Sequence, residues 1–277
     1  MQSQEPILVI EAGRVEKQYW QDLWTYRELF YFLAWRDILV RYKQTVIGVF
    51  WAIIRPFISM VVFTVIFRGL AGLASDGDIP YPVLVFAGTL PWNFFSTSIT
   101  AASGSLTGSA SMIKKIYCPR LILPISTVVV GIVDLLVAGM IMLALMIWYG
   151  VIPSWRVIFL PFLILLAAST SLGIGLWLSS LNVRYRDFKH IVPFLIQIGA
   201  YISPVGFSSS RVPDEFRFFY SLNPMVGVID GFRWCLLGQD ISLYMPGFFA
   251  SILLSLSLLA SGIWYFRSVE RNFADYI

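Results

Sequence analysis

Two charges stand inside apolar runs of this 277-residue chain, Arg55 and Asp134. A charge within a membrane span is costly, and it marks either a function or a paired structural site. Arg55 precedes Pro56, and the carbonyls that a proline frees in a helix are acceptors for such a guanidinium. Three uses are open to it: contact with a pyrophosphate-linked lipid, snorkelling to the interface, or pairing with a carboxylate. Asp134 suits a structural partner for a cation better than catalysis, because one carboxylate does not make a general acid and base pair. The single His190 excludes a His-rich metal site, so no metal is expected, and Cys118 and Cys235 are too few for a disulfide framework. The chain has no Gly-x-x-x-x-Gly-Lys-Ser/Thr and no Gly-Lys pair, so it cannot hold ATP through a P-loop.

Ring faces supply the other chemistry. Phe50, Trp51, Phe57, Phe63 and Phe67 lie on one apolar run, Phe86, Trp92, Phe94 and Phe95 on a second, and Tyr201 on a later one. Aromatics are ordinary apolar bulk in lipid and in helix packing. They also stack on the C–H faces of sugar rings, and a row of such weak, repeated contacts lets a polymer slide without deep traps.

The elements that must position these residues are membrane spans. The chain is 58% hydrophobic and only 13% charged, whereas a soluble domain carries about 25% charged residues. Glu5, Glu11 and Glu16 stand where a secretory signal would need a basic region and an apolar core. Residues 1–25 read as a polar cytoplasmic tail. Residues 26–45 read as an interfacial amphipathic helix, with Tyr31, Trp35, Ile38, Leu39, Tyr42 and Val46 on one face and Arg36, Asp37, Arg41 and Gln44 on the other. Six spans are expected within 46–267, at about 46–67, 82–100 (bent at Pro91), 121–149, 157–181, 191–207 and 246–266. The second is expected to dissolve into small residues at 101–111. Residues 208–244, too polar to span and too aromatic for a loop, read as short re-entrant helices before the last span, and 268–277 as a cytoplasmic tail.

Cations set the orientation. Arg14, Lys17, Arg27, Arg36, Arg41, Lys43, Lys114, Lys115, Arg120, Arg184, Arg186, Lys189, Arg267 and Arg271 fall on one side, only Arg68, Arg156, Arg211, Arg217 and Arg233 on the other, and Arg55 within a span. The positive-inside rule places both termini in the cytoplasm. It also accounts for the net charge of +4 without a nucleic-acid partner.

Trp35-Arg36-Asp37, Arg41-Tyr42-Lys43-Gln44, Gly48, Trp51 and Pro56 resemble the amino-terminal signature of polysaccharide-export ABC transporter permeases, the membrane subunits that export O-antigen, capsule or teichoic acid chains. Ile113-Lys114-Lys115 with Pro119-Arg120 and Leu123-Pro124 resembles that family's coupling segment. Asn182 to Asp187 resembles its loop after the fourth span, and Asn223-Pro224-Met225 with Gly231-Phe232-Arg233 its outer re-entrant region. The resemblance covers about residues 30–240. It implies an all-α protein of the bacterial inner membrane, working as a homodimer with two copies of a separate ATPase that binds the ATP and Mg. Membrane lipids and a lipid-linked polysaccharide, most like O-antigen, are the other implied partners. It further implies a substrate channel walled by Phe50, Trp51, Arg55, Phe57, Phe63, Trp92, Phe95 and Tyr201. Coupling to the ATPase falls to Lys114, Lys115, Ile116, Tyr117, Arg120, Arg184, Arg186 and Asp187, and the interfacial helix to Trp35, Arg36, Asp37, Arg41 and Tyr42. Capsule or teichoic acid export is the near alternative. An ion-coupled transporter would show inverted repeats and a carboxylate or His relay, and neither is apparent in the sequence; a membrane enzyme acting on lipid-linked sugars would gather several polar residues at one interface, for which residues 208–244 are the only candidate.

Overall fold

The computed structural model describes residues 16–43, 48–72, 75, 77–115, 118–238, 243–270 and 273, with side chains omitted for 16–18 and 48–52. Among these residues the regular structure is helical. The helices are α1 (Glu16–Thr25), α2 (Arg27–Lys43), α3 (Gly48–Phe63), α4 (Tyr81–Gly108), α5 (Ala110–Ile113), α6 (Ile122–Tyr149), α7 (Leu160–Arg184), α8 (Phe188–Ile202), α9 (Asp214–Tyr220), α10 (Pro224–Leu237) and α11 (Met245–Val269). A π-helical turn, Thr64–Leu70, continues α3. Residues 16–25, expected within a polar tail, are helical because Tyr19 and Leu23 find an apolar seat against the bundle.

Four helical stretches among the described residues are long and apolar enough to cross a membrane: Ile53–Leu70, Ile122–Tyr149, Trp155–Arg184 and Met245–Val269. Two of the six expected spans fall outside that set for different reasons. At 28 residues, or about 42 Å, α4 has the length, but it is rich in Ser, Thr and Asn. Several of its hydroxyls are satisfied within the helix, with Thr97 donating to the Asn93 carbonyl, Thr100 to Ser96 and Ser103 to Thr100, while the buried Ser98 hydroxyl has no partner among the described residues. That lets α4 be polar and still buried. At 15 residues, or about 22 Å, α8 is shorter than the hydrocarbon core.

The bundle is built around α4, which packs on α3, α6, α7, α8 and α10. It does not dissolve after residue 100: Ala102, Ser103 and Leu106 are buried on it. The small residues there are a packing surface, since a Cβ on Gly175 of α7 would come within 2.7 Å of the Ala102 Cβ. The α7–α11 contact is tighter still. A Cβ on Gly173 would lie 2.6 Å from the α11 backbone at Leu258 and Leu259, and one on Gly262 would strike the Gly173 carbonyl. Such small-residue seams let helices approach closely in lipid. Thr170 donates to Ser255 across this seam (2.8 Å), and Trp177 stacks on Tyr265 with centroids 4.0 Å apart.

Two apolar cores result. The larger gathers α4, α6, α7 and α10. The smaller joins Leu33, Leu106, Leu121, Ile122, Leu123, Leu176, Val183, Phe266 and Phe273 at the end that carries the basic loops.

Candidate substrate path and coupling surface

A row of rings runs along one side of the bundle. Phe63 and Phe67 sit one turn apart with stacked rings (5.8 Å, 18° between planes). Phe63 meets Tyr201 of α8 edge-on at 6.1 Å, Phe67 meets Phe207 at 6.0 Å, and Phe207 meets Tyr220 at 6.5 Å. The π turn begins within this row, and π segments in α-helices are frequent at functional sites. Gly206 makes the row possible, because a Cβ there would collide with the Phe67 ring. Hydrogen bonds from Tyr81 to the Gly206 carbonyl (2.6 Å) and from Tyr220 to the Ile202 carbonyl (2.8 Å) hold the backbone behind the rings. The outward faces of α3 and α8 are apolar and open: Phe57, Val61, Val65, Phe194, Ile198 and Tyr201 are exposed.

The residues expected to wall a channel divide into three groups. Phe57, Phe63 and Tyr201 lie on or beside this open face; Arg55 is exposed two residues before Phe57, which sets it on another side of α3. Trp92 and Phe95 pack together inside the bundle (5.3 Å), 7% and 8% exposed, so within one chain they back the row rather than face an open side. Gly199 lets α8 lie on Trp92, whose Cη2 would be 2.9 Å from a Cβ at that position. The side chains of Phe50 and Trp51 lie outside the described residues.

Asp134 has a partner from α2. Arg41 donates to its Oδ2 and the Tyr42 hydroxyl to its Oδ1. Asp134 is 12 residues into α6, about 18 Å along its axis, so the end of α2 reaches well past the start of that helix. Arg41, set by the sequence pattern on the polar face of α2, and Tyr42, set on the apolar face, thus share one carboxylate. Tyr31, Phe32, Trp35 and Leu39 remain exposed, with Tyr31 and Trp35 stacked at 6.4 Å. Arg36 pairs with its neighbour Asp37 (2.8 Å). These two line a cavity of about 200 Å³ with Ser105 and Ser109 of the α4–α5 end and Ser126 and Thr127 of α6.

At the basic end Lys114 and Lys115 are exposed, as are Arg184, Arg186 and Asp187; Ile116 and Tyr117 lie outside the described residues. The two segments emerge from helices that are tied together, since Asn182 of α7 donates to the Ser103 carbonyl of α4 (3.0 Å). Cys118 is buried, which raises its thiol pKa. Arg120 is turned inward. Its backbone N–H donates to Glu270 just past α11 (3.1 Å), and its Nη1 donates to the Glu270 carbonyl. Tyr19 of α1 also donates to Glu270 (3.2 Å). Neither Tyr19 nor Glu270 stands out in the sequence, because no periodicity links residues some 250 positions apart.

At the opposite end the sequence reading counted Arg233 as an outer cation, but it is 1% exposed. Its guanidinium donates to the carbonyls of Leu84 (3.2 Å), Val205 (3.0 Å) and Phe207 (2.8 Å), riveting α10 to α4 and to the turn that carries the rings. Gly88 leaves the room, since a Cβ there would stand 2.7 Å from the Arg233 Nη2. The signal available in the sequence was Arg233 itself, inside Gly231-Phe232-Arg233-Trp234, in a helix capped by Asn223 and begun by Pro224.

Comparison with known proteins agrees with this architecture. The chain is similar to the O-antigen export system permease protein RfbA of Myxococcus xanthus, 28% identical over 260 residues that span 93% of this chain and 98% of that one. It is 26% identical to an RfbA of Klebsiella pneumoniae over 87% of this chain and 92% of the relative. The polysialic acid transport protein KpsM of Escherichia coli is 25% identical over 75% of this chain and 80% of its own length. The model of the ABC-2 type transporter family matches residues 28–237, the stretch that holds the α2–α6 pair, the ring row, the basic loops and the Arg233 rivet; the chain belongs to that family.

Proposed function

We propose that this chain is the membrane-spanning permease of an ATP-driven exporter that moves a lipid-linked polysaccharide, of the O-antigen class, across the bacterial inner membrane. In this reading the four long apolar helices are joined by α4 and α8 to make six spans, with both termini cytoplasmic. The polarity of α4 is then tolerated because it is enclosed by its neighbours and most of its hydroxyls donate to its own carbonyls. α8 spans despite its length by lying in a locally thin or protein-lined part of the bilayer.

The observation that carries the proposal is the continuous ring row from Phe63 to Tyr220 beside an open apolar face of α3 and α8. A second copy placed against that face closes a path with rings on both walls, along which sugar rings stack weakly and repeatedly. The interior position of Trp92 and Phe95 makes them the wall's support. Arg55, exposed on another side of α3, meets an anionic group of the lipid carrier from there. Energy comes from two copies of a separate ATPase carrying ATP and Mg, docked on Lys114–Arg120 and on the loop of Arg184, Arg186 and Asp187. The relatives named for O-antigen export support the substrate class. KpsM and the Neisseria meningitidis capsule export protein CtrC, 22% identical over 88% of this chain, favour capsular polysaccharide as the second reading.

The test is purification of the chain with and without a co-expressed ABC ATPase subunit, followed by transport in inverted vesicles. The expected result is a stable complex whose uptake of lipid-linked polymer needs ATP and survives collapse of the proton gradient. Transport by the permease alone, stopped by an uncoupler, would return the chain to the ion-coupled class.

A further inference from the structure

Three parts of the chain that are distant in sequence meet at the basic end, and Glu270 is where they join. Its Oε1 accepts the Arg120 backbone N–H (3.1 Å) and the Tyr19 hydroxyl (3.2 Å). Arg120 donates in return to the Glu270 carbonyl. The rest of the cluster closes over these bonds. The Arg267 guanidinium lies 4.7 Å from the Tyr19 ring, and that of Arg120 lies 5.8 Å from the ring of Phe273, which is itself buried against Phe266 at 5.4 Å. Burial raises the pKa of both the Glu270 carboxyl and the Tyr19 hydroxyl, as befits groups screened from water.

The contact falls at a mechanical junction. Lys115 is exposed and Arg120 is pinned five residues on. Pro119 offers no backbone donor, which leaves the Arg120 N–H as the handle just ahead of α6. Anchoring the chain ends alone would need only the apolar contacts of Phe266 and Phe273. The hydrogen bond to the Arg120 backbone adds a link to the loop itself.

We propose that Glu270 is the positioning residue of the coupling segment. It binds the Arg120 end of that segment to α1 and α11, so that displacement by the ATPase at Lys114 and Lys115 moves those helices as one body. This rests on the ATPase reading given above. The experiment uses the whole permease–ATPase complex, with spin labels on Ser111→Cys and Ser268→Cys, diluted with unlabelled permease. Both labelled sites are exposed, whereas the native thiols Cys118 and Cys235 are buried and do not compete. In the parent protein the label distance is the same with and without ATP. In Glu270→Ala, ATP shifts or broadens it and export falls about tenfold, the scale of one lost charge-assisted hydrogen bond, while complex yield and basal ATP hydrolysis persist. Glu270→Gln keeps an acceptor oxygen and retains the parent distance and most export. An unchanged distance with normal export in Glu270→Ala overturns the proposal. If that variant fails to assemble, Glu270→Gln decides: parent-like behaviour supports the positioning role, and loss of both readouts overturns it. A parent permease that forms no complex with the ATPase overturns the underlying reading instead, and is told apart by failing before any substitution is made.

Discussion

At the scale of single residues, the pair of Arg41 and Tyr42 with Asp134 shows how a charge survives within an apolar helix. A carboxylate in α6 without partners would be a large penalty. With a guanidinium and a phenol on its two oxygens it becomes a fastener between α2 and α6. Breaking a fully buried pair costs about 3–5 kcal/mol. The Arg41 side chain is 41% exposed and that of Asp134 20%, so solvent screening reduces the figure, and Asp134→Ala should cost about 1–2 kcal/mol. Thermal unfolding in detergent of Asp134→Ala, Arg41→Met and the double variant measures it. The double variant should be little worse than either single one. Losses that simply add would mean the two side chains do not support each other.

At the scale of elements, the bundle depends on where backbones come close. α7 and α11 meet through Gly173 and Gly262, where any side chain strikes main chain rather than a movable side chain. Gly262→Val should therefore force the helices apart and destabilise by about 1–3 kcal/mol, the usual cost of overpacking. Gly104→Ala, at a position with open space around its Cβ, should be neutral or slightly stabilising, since alanine is the better helix former. Comparing folded yield by size-exclusion profile and melting temperature for the two variants separates a packing effect from a general intolerance of change. Equal behaviour would remove the seam from the account.

At the scale of the whole molecule, one chain presents half of a path. The rings of Phe57, Phe63 and Tyr201 stand beside an apolar face that is open in the single chain. If they act only as bulk, Leu in their place is as good in lipid and helix packing. If they stack on sugars, Phe63→Leu and Tyr201→Leu should lower surface polysaccharide about tenfold, a loss on the scale of one ring contact, while assembly and basal ATP hydrolysis persist. Phe63→Tyr and Tyr201→Phe should retain most export. Surface polymer scored at matched protein levels is the measurement, and equal export by the Leu and aromatic series would sink the stacking role.

Much of this was legible in the sequence because membrane segments obey one-dimensional rules. Apolar run length marked the stretches that became α3, α6, α7 and α11, proline and glycine marked their ends, and the motifs around Trp35 and Asn223 carried the family likeness without any structure. The sequence also pointed to a cation for Asp134, since an unpaired charge in an apolar run is too costly to leave. It had no means of choosing Arg41 for that role, of burying Arg233 on three carbonyls, or of joining Tyr19, Arg120 and Glu270. Those pairings are set by which helix faces meet, and helix faces meet according to the small residues of α4, α7 and α11, whose individual choice leaves no periodic trace. The same cause placed Trp92 and Phe95 inside the bundle while Tyr201 stayed open: all are aromatic in apolar stretches, and only the position of α4 at the centre of its neighbours tells them apart.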